Sequence, residues 1–175
     1  MSAPATRRCF VALDLPGELT TAAVASQREL ESVAPGLRFT RPENIHLTLK
    51  FLGSISAETE ARARERLAGL GSGPLPVRLG AAGCFAPRIV WLELRGADAL
   101  QARVDGALTG LFEPERRFMG HITIARARAS SKELRAQIEA LAVPEFVVTA
   151  RSLSLVASEL RPSGPRYALI ERFAL

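Results

Sequence analysis

At 175 residues, 47% hydrophobic, with a net charge of +5, the chain is sized for one domain, or for two small lobes sharing a core. No window of about 18 apolar residues occurs, which excludes a membrane-spanning helix, and Cys9 and Cys84 have no Cys or His neighbour at zinc-ligand spacing. The positive charge is nearly all arginine, Lys occurring only at 50 and 132; this suits a polyanionic ligand without establishing one.

Residues 8–14 read as a buried strand closed by Pro16-Gly17, and the apolar run from Cys9 to Leu13 is too short for a signal peptide. A cytoplasmic protein with reduced thiols is therefore expected. Residues 17–33 have helical spacing, with Leu19, Ala22, Ala23, Ser26, Leu30 and Val33 on one stripe, and Pro35-Gly36 stops the helix. Arg38 to Asn44 is a connector, and 45–52 a strand ended by Gly53. Ser56-Ala57-Glu58-Thr59 starts a helix running to about 70; Gly71-Ser72-Gly73-Pro74 is a loop. Strands follow at 75–84 and Ile89 to Leu94, with a turn at Ala86-Pro87.

A second round follows. Residues 97–112 form a helix with Leu100, Val104, Leu108 and Leu111 in register, broken by Glu113-Pro114-Glu115. Residues 117–126 form a strand. Ser130-Ser131-Lys132-Glu133 starts a helix to about 142. Residues 145–157 and 166–174 are strands, separated by Arg161-Pro162-Ser163-Gly164-Pro165. The order strand, helix, strand, helix, strand thus occurs twice, roughly at 8–84 and 89–157, with a C-terminal strand at 166–174. A single two-lobed α+β domain over 1–175 is expected, its duplicated units presenting two antiparallel sheets to a central cleft.

Both histidines fall at the same place in this duplication. His46-Leu47-Thr48-Leu49 and His121-Ile122-Thr123-Ile124 share one frame: His, apolar, Thr, apolar. In a strand each tetrad puts His and Thr on one face and two aliphatics on the other. A lone His at a strand end is usually a hydrogen-bonded structural residue, but packing alone gives no reason for both to share one frame. Two imidazoles in one groove can act as general base and general acid near pH 7. In-line displacement at phosphorus uses such a pair, one activating water and the other protonating the departing oxygen. The hydroxyls of Thr48 and Thr123 can donate to non-bridging phosphate oxygens. Glu43 is the only carboxylate close to either His, so neither metal nor cofactor is expected. No dinucleotide fingerprint, phosphate-binding loop or Gly-x-Ser-x-Gly elbow occurs; Gly-Leu-Gly-Ser-Gly at 69–73 follows a helix and reads as a linker.

These segments, together with Arg8 to Leu13, Pro42 to Gly53, Pro87 to Leu92, Phe118 to Arg126, Ser158-Glu159-Leu160 and Gly164-Pro165-Arg166-Tyr167, resemble the RNA 2′,3′-cyclic phosphodiesterases, also known as 2′-5′ RNA ligases, of the two-histidine phosphoesterase superfamily. The resemblance spans nearly the whole chain, in order. It implies a bilobal fold with both His-x-Thr strands lining the cleft. It also implies metal-independent opening of a terminal 2′,3′-cyclic phosphate on RNA to a 2′-phosphate, with 2′-5′ ligation as a related reaction. His46, Thr48, His121 and Thr123 carry over as the site, and Arg126 as a phosphate contact. His46 would be the acid beside the leaving 3′-oxygen and His121 the base beside water. The partner implied is an RNA end, and the protein would act as a monomer away from membranes. The family usually has Pro before the second His, where this chain has Gly120. Strict alternation from His121 would turn Arg126 away from the groove, so its role requires a bulge or the strand ending there. Phe51 and Trp91 read as core, and Tyr167 is unassigned. The alternatives are an enzyme acting on small 2′,3′-cyclic nucleotides and a weakly catalytic module that grips RNA ends.

Overall fold

The computed structural model of the chain describes residues 6–71, 73–85, 88–129, 131–162 and 164–175. Residues 1–5, Ser72 of the first loop, the turn at Ala86-Pro87, Ser130 and Ser163 lie outside the described residues. The elements run β1 (Thr6–Leu13), α1 (Gly17–Val33), β2 (Arg38–Phe39), β3 (Leu47–Ser56), α2 (Ala57–Ala68), β4 (Leu75–Phe85), β5 (Ile89–Arg95), α3 (Asp98–Ala107), β6 (His121–Arg126), α4 (Lys132–Glu139), β7 (Val147–Ala150), β8 (Ser152–Arg161) and β9 (Gly164–Ala174). A single 3₁₀ turn, Pro42–Asn44, precedes β3.

The strands form one curled antiparallel sheet in the order β7-β4-β5-β6-β3-β1-β8-β9, with β2 on β6. The α+β architecture with two antiparallel halves is present, and the halves join at one residue pair, Leu47 opposite Ile122. β4 follows the first His strand in sequence but pairs with β5, and β8 follows the second but pairs with β1. Each half therefore holds a strand from the other's stretch of sequence. The helices cover the face that carries Leu47, Leu49, Ile122 and Ile124, all buried in one core with Leu19, Leu30, Leu67, Leu100 and Val104. Local chemistry sets two helix starts. The Ser56 hydroxyl accepts the Thr59 N–H at 3.2 Å, and the Ser131 hydroxyl accepts the Leu134 N–H at 3.0 Å.

Several boundaries differ from the sequence reading. The stretch 145–157 is two strands: β7 lies on β4 at one edge of the sheet, and beyond Arg151 the chain crosses to β1. Both pieces are apolar and alternating, so periodicity does not show the change of partner. The first His strand begins after His46 and continues through Gly53, whose φ of 72° is tolerated because it has no Cβ. The helix read over 97–112 stops at Ala107, and 108–112 form turns. The second His strand starts at His121, not 117. Part of the expected connector, Arg38–Phe39, is β2.

Candidate active site

Counting one residue either way from the Leu47–Ile122 pair sets His46 opposite Thr123 and Thr48 opposite His121. The apolar partners point into the core, so all four polar side chains share the opposite face, and all four are half-buried. The two tetrads thus converge where the two halves of the sheet join.

Both rings are oriented the same way. His46 Nδ1 donates to the Asn44 carbonyl at 2.8 Å, and His121 Nδ1 donates to the Met119 carbonyl at 2.8 Å. A carbonyl only accepts, so Nδ1 carries a proton in each ring and Nε2 is left for the cleft. In the neutral His46 ring, Nε2 accepts the Thr48 hydroxyl at 3.0 Å. The Asn44 side chain donates to the Pro165 carbonyl at 3.2 Å, tying the approach to His46 to the β8–β9 hairpin. Aromatic rings hold the imidazoles. Phe10 and Tyr167 lie 4.8 and 5.1 Å from the His46 ring, and Phe85 stands edge-on 5.1 Å from His121.

A bulge brings Arg126 to the site. In the β5–β6 pairing Trp91 faces Thr123 but Val90 faces Ala125, so Ile124 is the extra residue. The phase of β6 shifts there. Ile124 and Ala125 are both buried, and Arg126 emerges exposed on the Thr123 face. The Ile124 carbonyl accepts the Thr40 N–H at 2.8 Å and the buried Gln27 Nε2 at 2.8 Å. β3 repeats the device: Ala12 faces Thr48 and Val11 faces Lys50, making Leu49 the extra residue. Phe51 is thereby turned out of the core, and at 60% exposure it is not the core residue expected from its surroundings in sequence. Trp91 is half-buried, packed on Phe85 with ring centroids 5.3 Å apart. Lys50, 2% exposed, pairs with Asp105 of α3 and donates to the Glu113 carbonyl at 2.7 Å.

Gly120 fits its place closely. A Cβ there would overlap the Leu94 carbonyl oxygen, while the Gly120 carbonyl accepts the Leu94 N–H at 2.9 Å. The missing side chain lets the backbone before His121 press against β5.

Burial pushes the His46 pKa below the usual histidine value; its hydrogen bond to Asn44 opposes this, and the charge of His121 adds to it. Burial raises the Tyr167 pKa, while the charges of Arg126 and Arg8 pull it down, so both arginines act on that hydroxyl. A cavity of about 240 Å³ opens beside His46, lined among others by Phe10, Tyr167, Glu43, Asp14 and Arg172. Asp14 is held there by Ser152, Ser154 and Arg172 at 2.6, 2.8 and 2.9 Å. Among the described residues, no three His, Cys, Asp or Glu side chains converge to hold a metal, and no helix is long and apolar enough to cross a membrane. Both cysteines are free, and burial pushes the Cys9 thiol up to about 11.

All five residues expected at the site lie on one face of the sheet, around its central join. Sequence reasoning did not find Phe10, Tyr167, Phe85, Asn44 or Gln27. Tyr167, the only tyrosine in the chain, lay within a family-like segment without a role.

Known proteins are similar to this chain in sequence and in fold. The family model described as LigT like Phosphoesterase matches the chain in two stretches, residues 13–91 and 93–167. The RNA 2′,3′-cyclic phosphodiesterase of Escherichia coli K12 is 33% identical over 189 aligned residues, covering 100% of this chain and 99% of that protein. The crystal structure of TT0787 of Thermus thermophilus superposes with a TM-score of 0.79 at 26% identity, covering 96% of this chain and 97% of that one. E. coli LigT complexed with 3′-AMP gives a TM-score of 0.77 at 27% identity, covering 97% and 98%. With both His-Thr tetrads in place and a family match along most of its length, the chain belongs to the LigT-like phosphoesterases.

Proposed function

We propose that this phosphoesterase opens the 2′,3′-cyclic phosphate at an RNA end to a 2′-phosphate, without a metal, using His46 and His121 as acid and base. The observation that carries this reading is the pair of imidazoles, each with Nδ1 bonded to a backbone carbonyl and Nε2 left for one shared face. His121 Nε2 takes a proton from water as the water oxygen bonds to phosphorus. The bond from phosphorus to O3′ breaks, and His46 Nε2 returns a proton to O3′, leaving the phosphate on O2′. Thr48, Thr123 and Arg126 supply donors and positive charge to the phosphoryl oxygens as charge builds on them. A 5′-hydroxyl in place of water would give a 2′-5′ linkage by the same steps. The phosphodiesterase activity in the E. coli relative's name and the nucleotide complex of E. coli LigT support the reading. The test is incubation with an oligoribonucleotide ending in 2′,3′-cyclic phosphate in excess EDTA, with the product end mapped. A 2′-phosphate formed at an undiminished rate is expected. A need for added divalent metal, or a purely 3′-phosphate product, would overturn the mechanism.

A further inference from the structure

We infer that Phe51 and Arg8 form a subsite for the nucleotide preceding the terminal one, making the enzyme selective for RNA over free cyclic mononucleotides. This rests on the phosphodiesterase reading above. Phe51 stands five residues after His46, as Arg126 stands five after His121, and each is brought to the cleft face by the same bulge. The Phe51 ring, 60% exposed on the face that carries Thr48, offers a flat surface on which a base can stack. Phe10 and Tyr167 already flank His46 and fall to the reacting nucleotide. Phe51 lies one step further out, its ring 6.2 Å beyond that of Phe10 and three residues of strand, about 10 Å, past Thr48. Arg8 lies two residues before Phe10 on the same face of β1, opposite Ser54. Among the described residues no carboxylate comes within ion-pair distance of Arg8, although eight other cations are so paired.

Charge sets the direction of the strand. The other way out of the site, through the cavity beside His46, is net negative, because Asp14 and Arg172 offset each other and the carboxylate of Glu43 is left over. A phosphodiester chain is repelled there and attracted past Phe51 toward Arg8. An aromatic ring beside an unpaired arginine is the pattern that holds single-stranded RNA, the ring stacking a base and the cation facing the backbone.

The experiment compares kcat/KM for a mononucleoside 2′,3′-cyclic phosphate with that for a dinucleotide carrying the same 3′-terminal group. The wild type, Phe51→Ala, Phe51→Trp and Arg8→Gln are assayed, with folding checked by thermal melting. In the wild type the dinucleotide should lead about ten- to a hundredfold. Phe51→Ala should bring that ratio close to one, Phe51→Trp should keep it, and Arg8→Gln should lower it while flattening its salt dependence. A wild-type ratio near one, or an unchanged ratio in Phe51→Ala, overturns the subsite and leaves the phosphodiesterase reading standing. If the wild type opens neither substrate, the activity reading fails and the subsite falls with it.

Discussion

The two His-Thr motifs share their working parts and differ in what surrounds them. Each has an imidazole fixed through Nδ1 by the carbonyl two residues earlier, a threonine opposite the other motif's histidine, and a bulge at the following aliphatic. Then they diverge. The residue after the bulge is the buried cation Lys50 in one and Ala125 in the other, and the next is Phe51 against Arg126. His46 is wrapped by two aromatic rings, and His121 is met by one. On the mechanism proposed above, the matched backbone geometry would supply two groups able to exchange protons across one phosphorus, and the unmatched side chains would give the substrate a direction.

The sharpest attack on the shared part is to remove it. His46→Ala and His121→Ala should each lower the rate about 10²–10⁴-fold, with the double variant losing little more than the worse single. Near-normal turnover in either single variant would break the pairing. Arg126→Ala attacks the unmatched part and should lower kcat/KM by about one to two decades with little change in the pH optimum; unchanged kinetics would remove it from the site despite the bulge. Gly120→Ala tests the support of His121. With a backbone oxygen of β5 already in the space of the added carbon, it should cost about 1–3 kcal/mol in a denaturant melt, and wild-type stability would show that β5 yields freely.

Two smaller effects concern His46 alone. Burial and the charge of His121 disfavour its imidazolium, and a bound phosphodiester anion opposes both. The pH at which activity falls as the acid loses its proton should therefore be higher in kcat, which reports the complex, than in kcat/KM, which reports the free enzyme; coincident limbs would contradict this. The same shift acts on stability. Between the lowered folded value and the usual histidine value, the unfolded chain binds more protons than the folded one, so stability falls as pH is lowered through that window. His46→Gln should flatten this decline in melts run from about pH 7.5 to 5.

Much of this was legible in the sequence, for a definite reason. A repeated four-residue frame names its own residues, and alternation decides which face they share, so His46, Thr48, His121 and Thr123 needed no tertiary information. Arg126 showed its limit. Alternation turned it away, and only the extra residue at Ile124, held by Gln27 from a helix 97 positions earlier, brought it back. The sequence around Leu49 carries no mark of the second bulge either, so Phe51 read as core. The break at Arg151 was hidden because an edge strand, β7, and an inner strand, β8, of one sheet alternate alike.

The exchange of strands between the halves also makes their pairings unequal in reach along the chain. β4, β5, β6 and β7 all lie within residues 75–150, so the half that carries His121 is drawn from one continuous stretch of chain. The half that carries His46 begins at Thr6 but must wait for β8, whose Ala157 pairs with Cys9, and for β9 beyond it. Such distant pairing delays closure, because loop entropy is lost before the contacts form. The half that carries the N-terminal histidine therefore closes against the larger loop entropy of the two.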